Sequence, residues 1–223
     1  MRQSLNDRRP VGIAVLDVLT AIVLVVAVYF LVRPGSELWR SVAQWSARRA
    51  TSVAIRSHWD EAAALALPLY ETGGAPQVIE FLDYECPFCR GAAATVDSAI
   101  AAGVRVAVVH LPLSFHRLAK PAAITALCAA ATGDFVKVHR ILIHSISWQE
   151  EATSTGEVAV GDSGIVSRIS NCVATGGADD ILTAHIALAE TLDVTATPRF
   201  VSRSGSLYAP PTVAALRHLA GRE

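Results

Sequence analysis

The chain has 223 residues, of which 52% are hydrophobic and 17% are charged, and its 19 Lys and Arg residues nearly balance its 20 Asp and Glu residues. This apolar content is too high for an intrinsically disordered chain, and the lack of a basic excess argues against nucleic-acid binding. Four cysteines are too few for a small domain held together mainly by disulfides, so we expect one domain with a hydrophobic core and an additional segment.

Residues 11–32 form an almost unbroken apolar run near the N-terminus, VGIAVLDVLTAIVLVVAVYFLV. As a helix with a rise of ~1.5 Å per residue, this run spans about one hydrocarbon core of a membrane. It is longer than the apolar region of a signal peptide, and no cleavage site of small residues follows it. The sequence therefore predicts a transmembrane helix rather than a cleaved signal peptide.

The charges beside this run predict its orientation. Three arginines and one acid precede it: Arg2, Arg8, Arg9 and Asp7. Because basic flanks tend to remain in the cytoplasm, residues 1–10 are predicted to be cytoplasmic and the rest of the chain extracytoplasmic. Asp17 lies within the run, and it is either tolerated near the membrane surface or contacts another membrane helix.

Residues 33–75 are predicted to form a stalk or amphipathic linker. Trp39, Val42 and Trp45 recur at helical spacing, and tryptophan favours the membrane interface. The alternative is an amphipathic helix packed on the globular domain, and the sequence does not separate the two. The segment TGGAP at residues 72–76 predicts a turn before the domain begins.

A strand–helix–strand unit follows. Residues 78–84, VIEFLDY, have the β-branched and aromatic content of a buried strand. CPFC comes next, and an alanine-rich segment that ends at Gly103 predicts a helix. Pro87 suits the first turn of that helix, where a backbone N–H has no partner. Residues 104–110, VRVAVVH, predict a second strand, joined to the first by a right-handed crossover.

Further helices and two short strands complete the predicted domain. Helices are predicted over about 118–142 with a break at Gly133, and over 165–173, 178–192 and 213–220. The polar residues 147–164 predict a loop, and strands are predicted over 198–202 and 207–208. This order predicts an α/β domain over residues 76–223 with a helical insertion over about 115–192.

The chemistry that the sequence suggests is centred on Cys86 and Cys89. The unpaired N–H groups and the dipole at a helix N-terminus stabilise a thiolate, and the thiolate is the species that attacks a disulfide. Cys89 lies one helical turn after Cys86, near enough to form a disulfide with it. We therefore expect Cys86 to be an exposed nucleophile and Cys89 to be a buried resolving thiol.

Two other interpretations of this cysteine pair are weaker. A CxxC pair supplies half of a tetrahedral zinc site, but Cys128 and Cys172 stand alone and no HxxxH pair lies nearby. A purely structural disulfide between Cys86 and Cys89 would close a very short loop and add little stability. No metal and no cofactor are therefore predicted.

The segment VIEFLDYECPFC resembles the active-site segment of DsbA-like thiol–disulfide oxidoreductases of the thioredoxin superfamily. Three further segments match in order: VRVAVVHLPLSFH, ALCAAATGDFVKVHRILI and VTATPRFV. The resemblance covers roughly residues 77–219. It implies a thioredoxin fold with a helical insertion, here preceded by one transmembrane helix, and it implies that Cys86 attacks and Cys89 is its partner.

The same resemblance implies roles for residues around the cysteines. Pro198 matches the cis-proline of the family, and Thr197 before it would pair with an extended substrate chain. Glu80 matches a buried acid that can relay a proton, although a carboxylate that reaches solvent is the alternative. Pro87 and Phe88 would tune the reduction potential. Candidate cations near the sulfur are Arg90, His110 and His116, although a histidine here is more often a packing or surface residue.

The resemblance also bears on Cys128 and Cys172. Both lie in the predicted insertion, where some DsbA-like proteins carry a second disulfide. A bond between them would close a loop for which the chain-entropy model gives roughly 4 kcal/mol. Two buried free thiols are the alternative.

Thiol–disulfide exchange in the periplasm is the function that the resemblance implies, most simply as a dithiol oxidase. The alternatives are a disulfide reductase and a non-enzymatic anchored binding module. The implied partners are extended or unfolded proteins with thiols or disulfides, and a membrane redox partner that regenerates the cysteine pair. No nucleic acid is expected.

Overall fold

The computed structural model describes residues 11–71, 73–155, 158, 160–208 and 211–221. The chain divides into two compact units, Met1–Ala50 and Thr51–Glu223. The predicted cytoplasmic segment, residues 1–10, lies outside the described residues together with the arginines that predicted its orientation.

The first unit contains helix α1 (Val11–Val32) and the greater part of helix α2 (Glu37–Ser57). Ser36 forms the corner between them, because its hydroxyl donates to the Leu31 carbonyl and accepts from the Trp39 N–H. Among the described residues, no single helix is long and apolar enough to cross a membrane, whereas Leu16–Val32 and Glu37–Ser57, bent by 43°, satisfy those two criteria as a pair.

The second unit is built on a five-stranded sheet. Its strands are β1 (Leu67–Pro68), β2 (Val78–Leu82), β3 (Val106–His110), β4 (Arg199–Ser202) and β5 (Gly205–Tyr208). They lie in the order β1-β3-β2-β4-β5, with β2 parallel to β3 and the other pairs antiparallel. Every residue of β2 and β3 is buried, which explains why both segments are rich in β-branched residues.

Eight helices of this unit follow α2 among the described residues. They are α3 (Trp59–Leu65), α4 (Pro87–Ala101), α5 (Ala119–Ala131), α6 (Phe135–His144), α7 (Ser147–Thr155), α8 (Ser163–Thr175), α9 (Asp179–Thr191) and α10 (Val213–Ala220). The predicted break at Gly133 is confirmed, because this glycine has a φ of +81° between α5 and α6.

The prediction of a loop over residues 147–164 is wrong in its first half, which forms α7. The sequence of this helix is polar, but Trp148 and Ala152 lie on one side of it and are buried. The Trp148 indole N–H also donates to the Leu142 carbonyl at 2.9 Å. Two apolar side chains one turn apart were too weak a signal for a helix.

The prediction of a stalk over residues 33–75 is wrong from Thr51 onward, since these residues belong to the second unit. Ile55 and Trp59 are buried in its core, and β1 pairs with the edge of β3. Burial of these side chains favours the alternative interpretation, a helix packed on the domain.

Alternation along β2 separates two cores. Val78 and Leu82 face the larger core, which includes residues of α4, α5, α6, α8 and α10. Ile79 and Phe81 face the smaller core, which α3 and α9 cover. Glu80 lies between Val78 and Leu82 in this alternation, so its carboxyl group is directed into the larger core, beneath α4.

Cys128 of α5 and Cys172 of α8 form a disulfide, with 5.7 Å between their Cα atoms. The two cysteines are 44 residues apart in sequence, and their bond links two helices of the insertion. Of the alternatives considered for this pair, the structure therefore contains the disulfide and not two free thiols.

Three buried histidines lie where β3 ends. The His110 backbone N–H donates to His185 Nδ1 at 3.1 Å, and His185 Nε2 donates to the Leu65 carbonyl at 3.1 Å. These two bonds require a neutral His185 ring, because only a neutral imidazole has an accepting nitrogen. Burial lowers the pKa of His110 and His185, and it lowers that of His139 on α6 to about 3.

These histidines make the fold sensitive to acid. A histidine whose pKa is lower in the folded than in the unfolded protein destabilises the fold as pH falls below the unfolded value of ~6.5. Between pH 7 and pH 4.5, we expect the wild type to lose roughly 2–3 kcal/mol more unfolding free energy than a His139→Gln variant. Urea denaturation at the two pH values measures this.

The control is His58→Gln, at a partly exposed position beside Glu61 and outside this histidine cluster, which should retain the pH dependence of the wild type. An equal loss of stability in the wild type and in His139→Gln would show that the buried ring is not the acid-sensitive group.

Candidate active site

Cys86 lies at the junction between β2 and α4. It occupies the N-cap position of α4 in an extended conformation, and Pro87 follows at the first helical position. The Cys86 backbone N–H donates to the Asp83 carbonyl at 3.1 Å, which forms a tight turn after β2. The sulfur of Cys86 therefore lies beside the unpaired N–H groups of a helix N-terminus.

The two cysteine sulfurs differ in acidity. The pKa of Cys86 is lowered to about 5, mainly by a hydrogen bond from the Cys89 side chain and also by Thr197 and the backbone of Cys89 and Phe88, while burial opposes this shift. The pKa of Cys89 is raised far above its ordinary value by burial first, then by its hydrogen bond to Cys86 and by the charge of Glu80. At neutral pH the pair therefore consists of a Cys86 thiolate and a Cys89 thiol.

Cys86 is buried, which corrects the expectation of an exposed nucleophile: the residue is 3% exposed. Part of the reason is the segment before β4, since the Thr197 carbonyl oxygen lies 3.4 Å from Cys86 Sγ. The Thr197–Pro198 peptide bond is cis. The Thr197 side chain is buried, and it also helps to lower the pKa of Cys86.

Glu80 lies beneath the cysteines on β2 and is 3% exposed. Of the two interpretations considered from sequence, the buried acid is the one that the structure contains. Burial, and to a smaller extent the charge of the nearby Cys86 thiolate, raises the pKa of Glu80 to about 8. At neutral pH this carboxyl group is therefore mostly protonated and has a proton to give.

Phe88, between the two cysteines, has a side chain that reaches solvent. It is 63% exposed, although it belongs to the first turn of α4. An exposed aromatic ring beside a reactive sulfur provides an apolar contact for another chain.

Arg90 does not act on the reactive sulfur in the way considered from sequence. Its guanidinium donates to the Leu142 and Ser145 carbonyls at 3.3 and 2.7 Å, at the C-terminal end of α6. The groups that contribute most to the low pKa of Cys86 are Cys89, Thr197 and Phe88. The Arg90 side chain instead fastens α6 to α4.

The two candidate histidines also have other partners. His110 Nε2 lies 3.1 Å from the Tyr84 hydroxyl, and His116 Nδ1 lies 2.7 Å from an Asp83 carboxylate oxygen. Both histidines hold the loop that precedes Cys86, a role that the sequence did not indicate.

Asp83, Tyr84 and Glu85 are the residues that the sequence interpretation missed. They were treated as the end of a strand and a connection, yet each makes side-chain hydrogen bonds to residues far along the chain. Polar residues between a buried strand and a reactive cysteine were the available signal. In the described ranges, no group of three or more His, Cys, Asp or Glu side chains could hold a metal ion.

Comparison with known proteins identifies the fold around this site. A family model described as thioredoxin matches residues 72–219, whereas no curated protein sequence matches. A thioredoxin-like oxidoreductase from Silicibacter pomeroyi DSS-3 has a TM-score of 0.59 at 24% identity, covering 71% of this chain and 91% of its own.

Two other solved structures show the same likeness. The thiol-disulfide exchange protein alpha-DsbA2 from Wolbachia pipientis has a TM-score of 0.63 at 15% identity, covering 78% of this chain and 96% of its own. BcfH from Salmonella enterica Typhimurium has a TM-score of 0.60 at 17% identity, covering 95% and 98%. At these identities, the three structures establish a shared thioredoxin fold.

The unequal acidity of the two sulfurs has a direct chemical consequence. At pH 6 an ordinary thiol with a pKa of ~8.5 is under ~1% thiolate, whereas Cys86 is largely ionised. We expect iodoacetamide to modify Cys86 of the reduced protein at pH 6 and to leave Cys89 unmodified, as read by peptide mass mapping. A Cys86→Ser variant is the control and should take up no label at Cys89. Preferential labelling of Cys89 would contradict the assignment.

Proposed function

The chain belongs to the thioredoxin family, and we propose that it is a thiol–disulfide oxidoreductase that acts on proteins through Cys86 and Cys89. The observation that supports this most strongly is the difference between the two sulfurs, with a stabilised thiolate at the start of α4 and a buried thiol one turn later. A disulfide with a purely structural role does not require its two sulfurs to differ in acidity.

In the oxidase direction, the reaction begins with the Cys86–Cys89 disulfide. A substrate thiolate attacks Cys86 Sγ, a mixed disulfide forms, and the bond to Cys89 breaks. Cys89 leaves with the electron pair and takes up a proton. Glu80, which is buried beneath the pair and mostly protonated at neutral pH, is positioned to supply that proton.

In the second step, another substrate thiolate attacks the substrate sulfur of the mixed disulfide. A substrate disulfide forms, and Cys86 leaves as a thiolate. A sulfur with a low pKa is a good leaving group, and a stable Cys86 thiolate favours the reduced form of the pair. Both effects favour oxidation of substrates over their reduction, so we propose dithiol oxidase as the direction. A membrane redox partner would then accept two electrons from the reduced pair.

The proposed substrate is an extended or unfolded polypeptide that lies across Thr197 and Pro198. The Thr197 carbonyl oxygen lies 3.4 Å from Cys86 Sγ, so a chain that pairs with this segment would lie beside the reactive sulfur. The exposed ring of Phe88 adds an apolar contact.

Trapping of the mixed disulfide tests this function. With Cys89→Ser, we expect the Cys86 thiolate to attack a disulfide of an unfolded protein substrate and to release one substrate thiol. The mixed disulfide at Cys86 should then accumulate, because no Cys89 thiol remains to resolve it, and it is visible on a non-reducing gel. With Cys86→Ser, we expect loss of both complex formation and disulfide formation in the substrate. Asp134→Asn, which removes an ion pair with Arg168 in the insertion, should behave as the wild type.

Unchanged exchange in Cys86→Ser would refute the enzymatic role and favour the binding-module alternative. Reduction of insulin disulfides that is faster than oxidation of the substrate dithiol would refute the oxidase direction and favour the reductase.

We also propose that residues 11–32 anchor the protein in the cytoplasmic membrane, with the thioredoxin domain in the periplasm. The apolar side chains of Leu16–Val32 are about half exposed or more in the first unit, and a lipid phase would cover them at a favourable free energy. The anchor would keep Cys86 near the membrane redox partner.

Fractionation tests the anchor in the full-length chain. We expect the protein to remain in the membrane pellet after alkaline carbonate treatment and to be released by detergent. After brief reduction of the Cys86–Cys89 disulfide, a membrane-impermeant thiol reagent should label Cys86 in cells in which only the outer membrane has been permeabilised. Recovery in the soluble fraction would contradict the anchor, and labelling only after cell lysis would contradict the orientation.

A further inference from the structure

Three consecutive residues immediately before Cys86 each bind a different part of the chain beyond β3. We call Asp83, Tyr84 and Glu85 the docking tripeptide. Its partners are the loop after β3, the end of β3 itself, helix α6, and the residue that precedes α5. These partners are brought to one place by the fold and are not neighbours in sequence.

Asp83 connects Cys86 to the loop that follows β3. Its carboxylate is fully buried and accepts from the Leu113 N–H at 2.9 Å and from His116 Nδ1 at 2.7 Å. The other carboxylate oxygen accepts from the Glu85 N–H at 2.8 Å. The Asp83 backbone carbonyl accepts from the Cys86 N–H, so one residue holds both the reactive cysteine and the loop.

Tyr84 connects the same segment to β3 and α6. Its ring is 1% exposed, and its hydroxyl lies 3.0 Å from His139 Nδ1 and 3.1 Å from His110 Nε2. A phenol has one proton to donate, so Tyr84 donates to one imidazole and accepts from the other. This pairing satisfies three buried polar groups that would otherwise be costly.

Glu85 connects the segment to the start of the helical insertion. Its carboxylate accepts from the Leu118 N–H at 2.7 Å. Leu118 is the N-cap residue of α5, so the carboxylate lies at the N-terminus of that helix, where a negative charge is favoured. The three residues directly precede Cys86 in sequence. Together they contact the insertion at His116, Leu118 and His139.

We propose that the docking tripeptide is a positioning element for the exchange reaction, through which the helical insertion holds Cys86 in line with the first N–H groups of α4 and with Thr197. This inference rests on the proposed function. Its physical basis is the steep dependence of hydrogen bonding on distance and angle. If the segment relaxes, the sulfur loses alignment with the groups that stabilise its negative charge, and the thiolate becomes less stable.

A Tyr84→Phe variant tests this positioning role, because it removes one hydroxyl and keeps the ring in the core. The readouts are the pH midpoint of Cys86 alkylation and the redox equilibrium with glutathione. We expect the midpoint to rise by about one pH unit, a tenfold change in thiolate stability. We expect the equilibrium to shift about tenfold toward the Cys86–Cys89 disulfide. Loss of fold stability alone would move neither quantity.

Glu85 provides a second, independent test with a conservative control. Removing a negative charge near a thiolate lowers its pKa, whereas misalignment raises it, so the two effects have opposite signs. Glu85→Gln keeps an oxygen that accepts from Leu118, while Glu85→Ala does not, and both remove the charge. We expect the alkylation midpoint of Glu85→Ala to lie clearly above that of Glu85→Gln.

A matched control for lost stability is Asp134→Asn, which breaks a bidentate pair with Arg168 inside the insertion and should keep the wild-type midpoint. Wild-type midpoints in Tyr84→Phe and equal midpoints in the two Glu85 variants would overturn the positioning role. If Tyr84→Phe does not fold, the Glu85 comparison decides. Midpoint shifts in a protein whose wild type exchanges no disulfides would support positioning while refuting the proposed function.

Discussion

The active site depends on one interaction: negative charge on the Cys86 sulfur is stabilised where α4 begins. Two cysteines separated by two residues have the same intrinsic chemistry, and only their surroundings make them different. Cys86 receives the Cys89 side-chain hydrogen bond and the backbone of the first helical turn, whereas Cys89 is enclosed in the core above Glu80. The strand β2 and the turn at Asp83 place the helix N-terminus under the first sulfur, so the fold itself creates this difference in acidity.

The polar residues that support this site are unusual in their burial. Glu80, Asp83, His110 and His139 are buried in a region that otherwise consists largely of aliphatic and aromatic side chains. Burying a polar group costs folding free energy unless the group is hydrogen-bonded, so we expect each of these residues to have a structural or chemical role. The carboxyl group of Glu80 can hold a proton next to Cys89, and the others bind the segment before Cys86 to the insertion. The stability lost by burying them is thus connected to the geometry of the reactive sulfur.

Local patterns in the sequence were sufficient for the elements that carry the cysteines. The β-branched runs predicted β2 and β3, and Pro87 predicted the start of α4. Gly133 predicted the break between α5 and α6. The resemblance indicated Pro198, and the carbonyl oxygen of the preceding residue, Thr197, lies 3.4 Å from Cys86 Sγ. These features are encoded within a few residues, and for that reason they could be found without coordinates.

Other features depend on contacts between distant residues. Tyr84 and His139 are 55 residues apart, and nothing in either segment indicates the other. The guanidinium of Arg90 could not be assigned to the end of α6 from its position beside Cys89. The burial of Ile55 and Trp59 depends on α9 and the sheet edge, so the mixed composition of this segment does not distinguish a stalk from a helix packed on the domain. In each case the missing information was which surfaces the fold brings together.

The most direct measurement is an ultraviolet absorbance titration of the thiolate in the reduced, full-length protein, with Cys86→Ser as the reference. We expect one thiolate to form with a midpoint near pH 5, to be absent in Cys86→Ser, and no second thiolate to form below the pH range of an ordinary thiol. A single transition near the ordinary value of ~8.5, or a low transition that persists in Cys86→Ser, would contradict the stabilisation of Cys86 at the start of α4.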